Sequence, residues 1–162
     1  MPRKSGSALV TGILAVAVAA SSAAATEGPF ARLGGLWAGD GTVTLASGAQ
    51  EPIRCRVQYD VVDAGGKLRQ ALRCASTSYR FEVNAEYTHA AGAIEGLWTE
   101  TVRSVSGNVA GRAEGDRIEA RVTGPFSAGL VLATTGDKQT VTVRPQSADV
   151  REVSMELRRS SG

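Results

Sequence analysis

The chain has 162 residues, of which 43% are hydrophobic, with 18 Lys and Arg against 16 Asp and Glu. This length suits a single domain with one core. Arg3 and Lys4 lie at the extreme N-terminus, and without them the basic and acidic side chains balance at 16 each. A formally neutral domain lacks the basic surplus typical of nucleic-acid-binding proteins, so no nucleic-acid partner is predicted.

Residues 1–25 have the order of a secretory signal peptide. Arg3 and Lys4 precede an apolar stretch over 8–20, and small residues follow it up to Ala25. The apolar stretch is shorter than the ~20 residues that a transmembrane helix needs. We therefore predict cleavage after Ala25, a periplasmic or secreted location, and one mature domain over 26–162 without a transmembrane segment.

The remainder of the chain reads as short strands separated by turns. Beyond one possible helical turn at Pro29 to Leu33, the sequence alternates between apolar and polar residues and carries glycine-bearing turns every eight to twelve residues. This pattern predicts an all-β sandwich or barrel. The candidate strands are 39–46, 51–61, 67–75, 79–89, 93–103, 108–114, 117–124, 127–135, 138–145 and 150–158.

The first strong hairpin predicts a disulfide. A two-residue turn at Ala64-Gly65 places Cys55 opposite Cys74, and an exported protein meets an oxidising compartment. A redox pair would favour the close C-x-x-C spacing, which is absent here. A structural disulfide between Cys55 and Cys74 is therefore expected.

Two further tight turns extend the sheet and define its inner face. A turn over Ser76-Thr77 sets Leu72 against Phe81, and a turn at Ala91-Gly92 sets Ala85 against Trp98. The inner face then presents apolar and aromatic side chains that either fill the core or line a ligand cavity. The candidate cavity residues are Val57, Tyr59, Leu72, Tyr79, Phe81, Val83 and Trp98.

The same registers predict a row of like charges on the outer face, toward the open end of the sheet. Directly opposed like charges are unfavourable, so the row requires either nearby carboxylates, such as Glu51 and Glu82, or a bound anion. A solvated, locally neutralised surface is the alternative. The row consists of Arg56, Arg73, Arg80 and Arg103.

Four residues before and within the first strand resemble a known family motif. Gly35, Trp37, Gly39 and Gly41 match the G-x-W-x-G-x-G of nitrobindin-like barrels, and G-x-W also opens the first strand of lipocalins. The resemblance implies a calycin-like barrel, an antiparallel up-and-down meander of about 8 to 10 strands around an apolar cavity. It also implies that Trp37 closes the barrel floor beneath a basic residue of the last strand. Arg158 or its neighbour Arg159 is the expected counterpart, and Arg158 is taken as the floor residue.

No cofactor, metal or catalytic centre is predicted. The nitrobindin-like heme site uses a histidine in the C-terminal part of the chain, whereas the one histidine here, His89, falls near a turn and is expected at the solvated surface. The sequence has no G-x-S-x-G elbow and no free thiol once the disulfide forms. Glu100 is expected at the wet rim of the barrel, because a buried unpaired carboxylate is costly.

These features predict a non-enzymatic exported binding module for a small apolar or amphipathic ligand. The alternative is an envelope protein that binds a protein partner, such as a protease or lysozyme inhibitor. The interior distinguishes the two hypotheses, because a ligand carrier needs an apolar cavity whereas an inhibitor needs a protruding loop. A membrane-spanning barrel is disfavoured by charged outward positions such as Arg54, Arg69, Glu86 and Glu95.

Overall fold

The computed structural model describes residues 1, 27–147 and 149–160. Apart from residue 1, the predicted leader over 1–25 lies outside the described residues. In the described part of the chain, no helix is long and apolar enough to cross a membrane.

Ten antiparallel strands, β1 to β10, form a closed barrel within the described residues. Each strand pairs with the next in sequence, and β1 closes the barrel against β10. The all-β, up-and-down prediction is confirmed. The strands are Gly35–Leu45, Gln50–Val62, Lys67–Ala75, Arg80–Ala90, Ala93–Glu100, Val105–Glu114, Arg117–Thr123, Ala128–Thr135, Lys138–Pro145 and Val150–Arg159.

Strict two-residue alternation places the core inside the barrel. In β2, Ile53, Cys55, Val57 and Tyr59 are buried while the residues between them are exposed. Successive strand side chains point to opposite faces, so one apolar set faces inward and one polar set faces solvent. The same alternation recurs in β3, β5 and β6, and the core lies inside the barrel.

The register of β2 against β3 is confirmed, and with it the disulfide. Cys55 lies directly opposite Cys74, their Cα atoms are 4.1 Å apart, and the two sulfur atoms are bonded. The register of β4 against β5 is confirmed as well, with Ala85 opposite Trp98. In both hairpins the turn and the apolar alternation favour the same register.

The predicted register of β3 against β4 is wrong by two residues. Leu72 lies opposite Val83 rather than Phe81. The connection is a four-residue loop over 76–79, in which the backbone N–H of Ser76 donates to the carbonyl oxygen of Tyr79 at 2.8 Å. The carboxylate of Glu51, from β2, accepts hydrogen bonds from the Ser76 hydroxyl and from the backbone N–H of Ser78, which stabilises the wider loop.

Two glycines of the motif allow β1 to approach β10 closely. A Cβ atom on Gly39 would lie 1.9 Å from the carbonyl oxygen of Glu156, and one on Gly41 would lie 2.3 Å from that of Ser154. Only glycine fits where another backbone comes so near. Gly39 and Gly41 are therefore required by the pairing that closes the barrel.

Candidate functional site

One end of the barrel, here called the floor, is covered by the segment 28–33. Two successive turns shape this segment, and its backbone N–H groups at Gly28 and Phe30 donate to the carbonyl oxygens of Ala64 and Gly65. Gly65 has a φ of +89°, and a Cβ atom there would lie 2.6 Å from the amide nitrogen of Ala31. The turn that sets the β2–β3 hairpin thus also provides the docking site for the floor segment.

Trp37 is the central residue of the floor. It is fully buried, and its indole N–H donates to the carbonyl oxygen of Leu33 at 2.7 Å. The guanidinium that packs on it belongs to Arg159, 4.3 Å from the ring centroid, so the choice of Arg158 is wrong. Inward positions of β10 alternate through Met155 and Leu157, which puts residue 159 inside and residue 158 on the exposed outer face.

His89 is not a solvated turn residue. It lies within β4, is half-buried, and packs edge-on against the Phe30 ring of the floor segment with centroids 6.5 Å apart. The described residues contain no cluster of three His, Cys, Asp or Glu side chains able to hold a metal ion. His89 therefore acts as a packing residue against the floor segment.

Above the floor lies a partly open apolar cavity of about 90 Å³. Every strand except β1 contributes to its wall, and Phe30 and Leu33 of the floor segment close it below. Three of the predicted cavity residues, Val57, Tyr59 and Leu72, lie in this wall. The other strand residues of the wall are Leu68, Gln70, Tyr87, Ile94, Val109, Ile118, Ala120, Leu130, Leu132, Val141, Val143, Met155 and Leu157.

Three polar side chains reach this cavity. The Tyr59 hydroxyl donates to Oε1 of buried Gln139 at 3.0 Å, and the Tyr87 hydroxyl donates to Oε1 of Gln70 at 3.4 Å. Burial raises the pKa of both phenols above the ordinary value, so both stay neutral donors. The Gln70 amide nitrogen has no hydrogen bond to any described residue, which makes it the free donor at the cavity wall.

The remaining predicted cavity residues do not line this cavity. Val83 and Trp98 pack with Ala85 and Val109 in a second, smaller cluster. Tyr79 and Phe81 stack on each other, with ring centroids 6.4 Å apart, at the end of the barrel opposite the floor, here called the rim. The inner face was predicted correctly. Its half nearer the rim is filled by packed side chains, and only its half nearer the floor borders the cavity.

Glu100 lies at the rim end of β5 but is only 7% exposed, so the expectation of a wet carboxylate is wrong. Its oxygens accept hydrogen bonds from the backbone N–H groups of Glu82, Val102 and Arg103 at 2.7–3.1 Å. Burial opposes ionisation, yet these donors and the Arg103 charge outweigh it and hold the pKa of Glu100 below its usual value. The carboxylate caps the 101–104 loop.

The four arginines do not form one continuous row. Arg56 faces Arg73 as predicted, but Arg73 then faces Glu82, because β4 is shifted by two residues. Arg80 forms an ion pair with Glu82. Arg103 lies beyond the end of β5, donates to the Arg80 carbonyl oxygen at 3.2 Å, and stands 5.9 Å above the Phe81 ring.

Much of the cavity wall went unpredicted because candidates came only from β2 to β5. The C-terminal strands carry the same signal, since Leu130 with Leu132 and Met155 with Leu157 are apolar pairs at two-residue spacing. Extending the alternation through β7 to β10 would have placed these residues inside. Gln70 also lies on the inward side of β3, opposite Tyr59.

Solved structures share this fold. Rv2717c from M. tuberculosis superposes with a TM-score of 0.64 at 13% sequence identity, covering 82% of this chain and 94% of that chain. The S-type phycobiliprotein lyase CPES from Guillardia theta superposes with a TM-score of 0.59 at 10% identity, covering 82% and 91%. No protein-family model and no curated protein sequence matches the chain. These similarities show the fold alone, a closed antiparallel barrel that fits a calycin-like fold.

Proposed function

We propose that this protein is an exported, non-enzymatic binding module that takes a compact apolar molecule into the lower half of its barrel. The observation that carries the proposal is the apolar cavity of about 90 Å³ between the floor segment and the mid-barrel core. Barrels of this size either fill their interior or hold one small ligand. Space bounded by aliphatic and aromatic side chains favours an apolar occupant.

The size of the cavity restricts the ligand. Pockets for drug-sized ligands occupy ~300–1,000 Å³, whereas apolar cavities of ~150 Å³ take benzene or xenon. A volume of about 90 Å³ is smaller than either, so a single small ring is the upper limit for the ligand. Long acyl chains do not fit without movement of the floor segment.

The polar groups at the wall suggest one hydrogen-bond acceptor on the ligand. The Tyr59 and Tyr87 hydroxyls already donate to Gln139 and Gln70, which leaves the amide nitrogen of Gln70 to donate to a bound molecule. One structural neighbour is named a lyase. We nevertheless propose binding, because neutral phenols and an amide provide neither an activated nucleophile nor a base.

Export is supported by the leader pattern over 1–25 and by the disulfide, since disulfides persist in oxidising compartments. Cell fractionation followed by N-terminal sequencing tests it. The mature protein is expected outside the cytoplasm, beginning at Thr26. Recovery of a cytoplasmic protein with an intact N-terminus would refute export.

A protein-binding role has less support. Connections between consecutive strands in the described residues contain no more than four residues, so none forms the protruding loop that an inhibitor inserts into its target. Val102 and Phe126 are the large exposed apolar side chains of the rim loops. Two such side chains make a small patch compared with a standard interface.

Benzene and pyridine form a test pair, because they share a shape and differ by one acceptor nitrogen. In an NMR titration we expect both to shift signals of the cavity wall, including Leu33 and Ile118. In a Tyr87→Phe background, which removes the hydroxyl that Gln70 accepts from, replacing Gln70 by Met keeps the side-chain length. This replacement should lower pyridine affinity relative to benzene by about three- to ten-fold against Tyr87→Phe alone, the worth of one hydrogen bond. Shifts confined to the outer surface, or none, would refute the cavity as a binding site.

A further inference from the structure

The outer face carries an unusual concentration of basic side chains without ion-pair partners. Sixteen Lys and Arg residues lie among the described residues, and ten of them pair with a carboxylate. Four of the other six occupy one transverse row across neighbouring strands. The row runs Lys138, Arg158, Ala38, Arg56, Arg73 through β9, β10, β1, β2 and β3.

This basic row contains two like-charge pairs. Lys138 lies directly opposite Arg158, and Arg56 lies directly opposite Arg73, with the small residue Ala38 between the pairs. All four charged residues are exposed. Directly opposed like charges destabilise a sheet, and two such pairs in one row place four positive charges in a line.

The flanks of the row confine an anion to it. On one side stand the uncharged outward residues Leu36, Gln58 and Ala71. On the other side Asp40 and Glu156 face each other, and Asp40 also pairs with Arg54 at 3.5 Å. Glu82 of β4 lies directly opposite Arg73 and ends the row on that side. These carboxylates repel an anion that moves past them, so the favourable path follows the row itself.

We propose that the basic row binds a linear polyanion bearing tetrahedral oxyanions, such as a polyphosphate or a sulfated polysaccharide. Neighbouring strands lie ~4.8 Å apart, so the five positions span roughly 19 Å. Guanidinium groups bind such oxyanions by charge-assisted, often bidentate hydrogen bonds. Each bound oxyanion would also relieve the repulsion within a like-charge pair.

The shape and chemistry of the row disfavour two other polyanions. The row follows the curved barrel wall over four strand-to-strand steps, so a flat bilayer would reach only part of it. Single-stranded nucleic acid usually binds where aromatic side chains stack on its bases. The row and its neutral flank contain none, since Leu36 is the one large apolar side chain there.

The test compares two double variants with the same loss of charge. Arg56→Gln with Arg158→Gln removes one member of each like-charge pair. Arg121→Gln with Arg151→Gln removes the other two described arginines that lack an ion pair, both outside the row. Binding of short-chain polyphosphate and of a heparin oligosaccharide is measured by calorimetry at low and at physiological salt. The polymer with the lower Kd shows whether the row prefers phosphate or sulfate groups.

We expect the row variant to lose at least ten-fold in affinity while the control loses less than two-fold. Binding should also weaken with added salt, because binding releases counterions condensed on the polyanion and added salt opposes that release. Equal losses in both variants would overturn the proposal by showing a general charge effect. It would also be overturned if neither polymer bound the wild type, or if single-stranded DNA or anionic vesicles bound more tightly.

Benzene binding inside the barrel is unaffected in either case, so this test is independent of the proposed function.

Discussion

The guanidinium of Arg159 lies 4.3 Å from the ring centroid of Trp37 and ties the last strand to the floor of the barrel. The same group donates to the carbonyl oxygens of Gly34 and Arg32 and to the carboxylate of Asp137. One residue at the end of β10 therefore joins the start of β1, the floor segment and the β8–β9 turn.

Arg159→Lys should lower the free energy of unfolding by about 1–3 kcal/mol, because an ammonium cannot reproduce the fork of hydrogen bonds or the stacking. Arg158→Lys is the matched control, since Arg158 is exposed and outside the floor, and should change stability by less than about 0.5 kcal/mol. Chemical denaturation measures both. Equal effects would show that Arg159 does not support the floor.

Removing the disulfide should cost stability and leave the binding site intact. Replacing Cys55 and Cys74 together by Ala opens a loop with a sequence separation of 19 and should lower the free energy of unfolding by about 3 kcal/mol. Thiol titration of the denatured, unreduced wild type should find no free thiol. Two reactive thiols would contradict the bond.

Glu100 should make the stability depend on acid pH. Because its pKa is lowered in the folded state, its stabilisation is complete above the ordinary carboxyl pKa of about 4.3 and is lost as the pH falls from there through the folded pKa. Glu100→Gln should be less stable than the wild type at pH 7, and this difference should shrink toward pH 3. Glu95→Gln, an exposed change of the same kind in β5, is the control. A difference that stays constant with pH would refute the capping role.

Gly39→Ala should destabilise the barrel by about 1–3 kcal/mol, as overpacking does, because the new methyl would meet the Glu156 carbonyl. Gly129→Ala in β8 is the matched control, since a Cβ atom there has no neighbour within 4 Å. Thermal unfolding of both variants measures the contrast. If Gly39→Ala unfolds at the wild-type temperature, the close approach of β1 and β10 does not constrain this position.

Sequence reasoning predicted the strands and the Cys55–Cys74 pairing because alternation and turn residues act locally and agree. It missed the β3–β4 register because a shift of two residues keeps every side chain on its face, so the apolar pattern is unchanged. The deciding contact comes from Glu51, which is distant in sequence from the loop that it binds. The residues of the turn at Ser76-Thr77 do not by themselves predict this contact with Glu51.

The candidate site was predictable in outline but not in extent. Inward-facing Val57, Tyr59 and Leu72 follow from the β2–β3 hairpin, whereas the boundary between filled core and cavity depends on how Trp98 and its neighbours pack above it. Packing of this kind depends on all strands at once. Arg159 could have been predicted as the floor residue, because Met155 and Leu157 face inward and a two-residue alternation places residue 159 on the same side.

Crystals of the wild-type protein held under xenon pressure test the central claim most directly. Xenon enters apolar cavities, and we expect one xenon site inside the barrel between Leu33 and Ala120. Ala120→Leu, which fills this space from β7, should abolish the site while leaving the fold unchanged. An interior without xenon in the wild type, or an equal xenon site in Ala120→Leu, would contradict the account of the barrel interior as a reachable binding cavity.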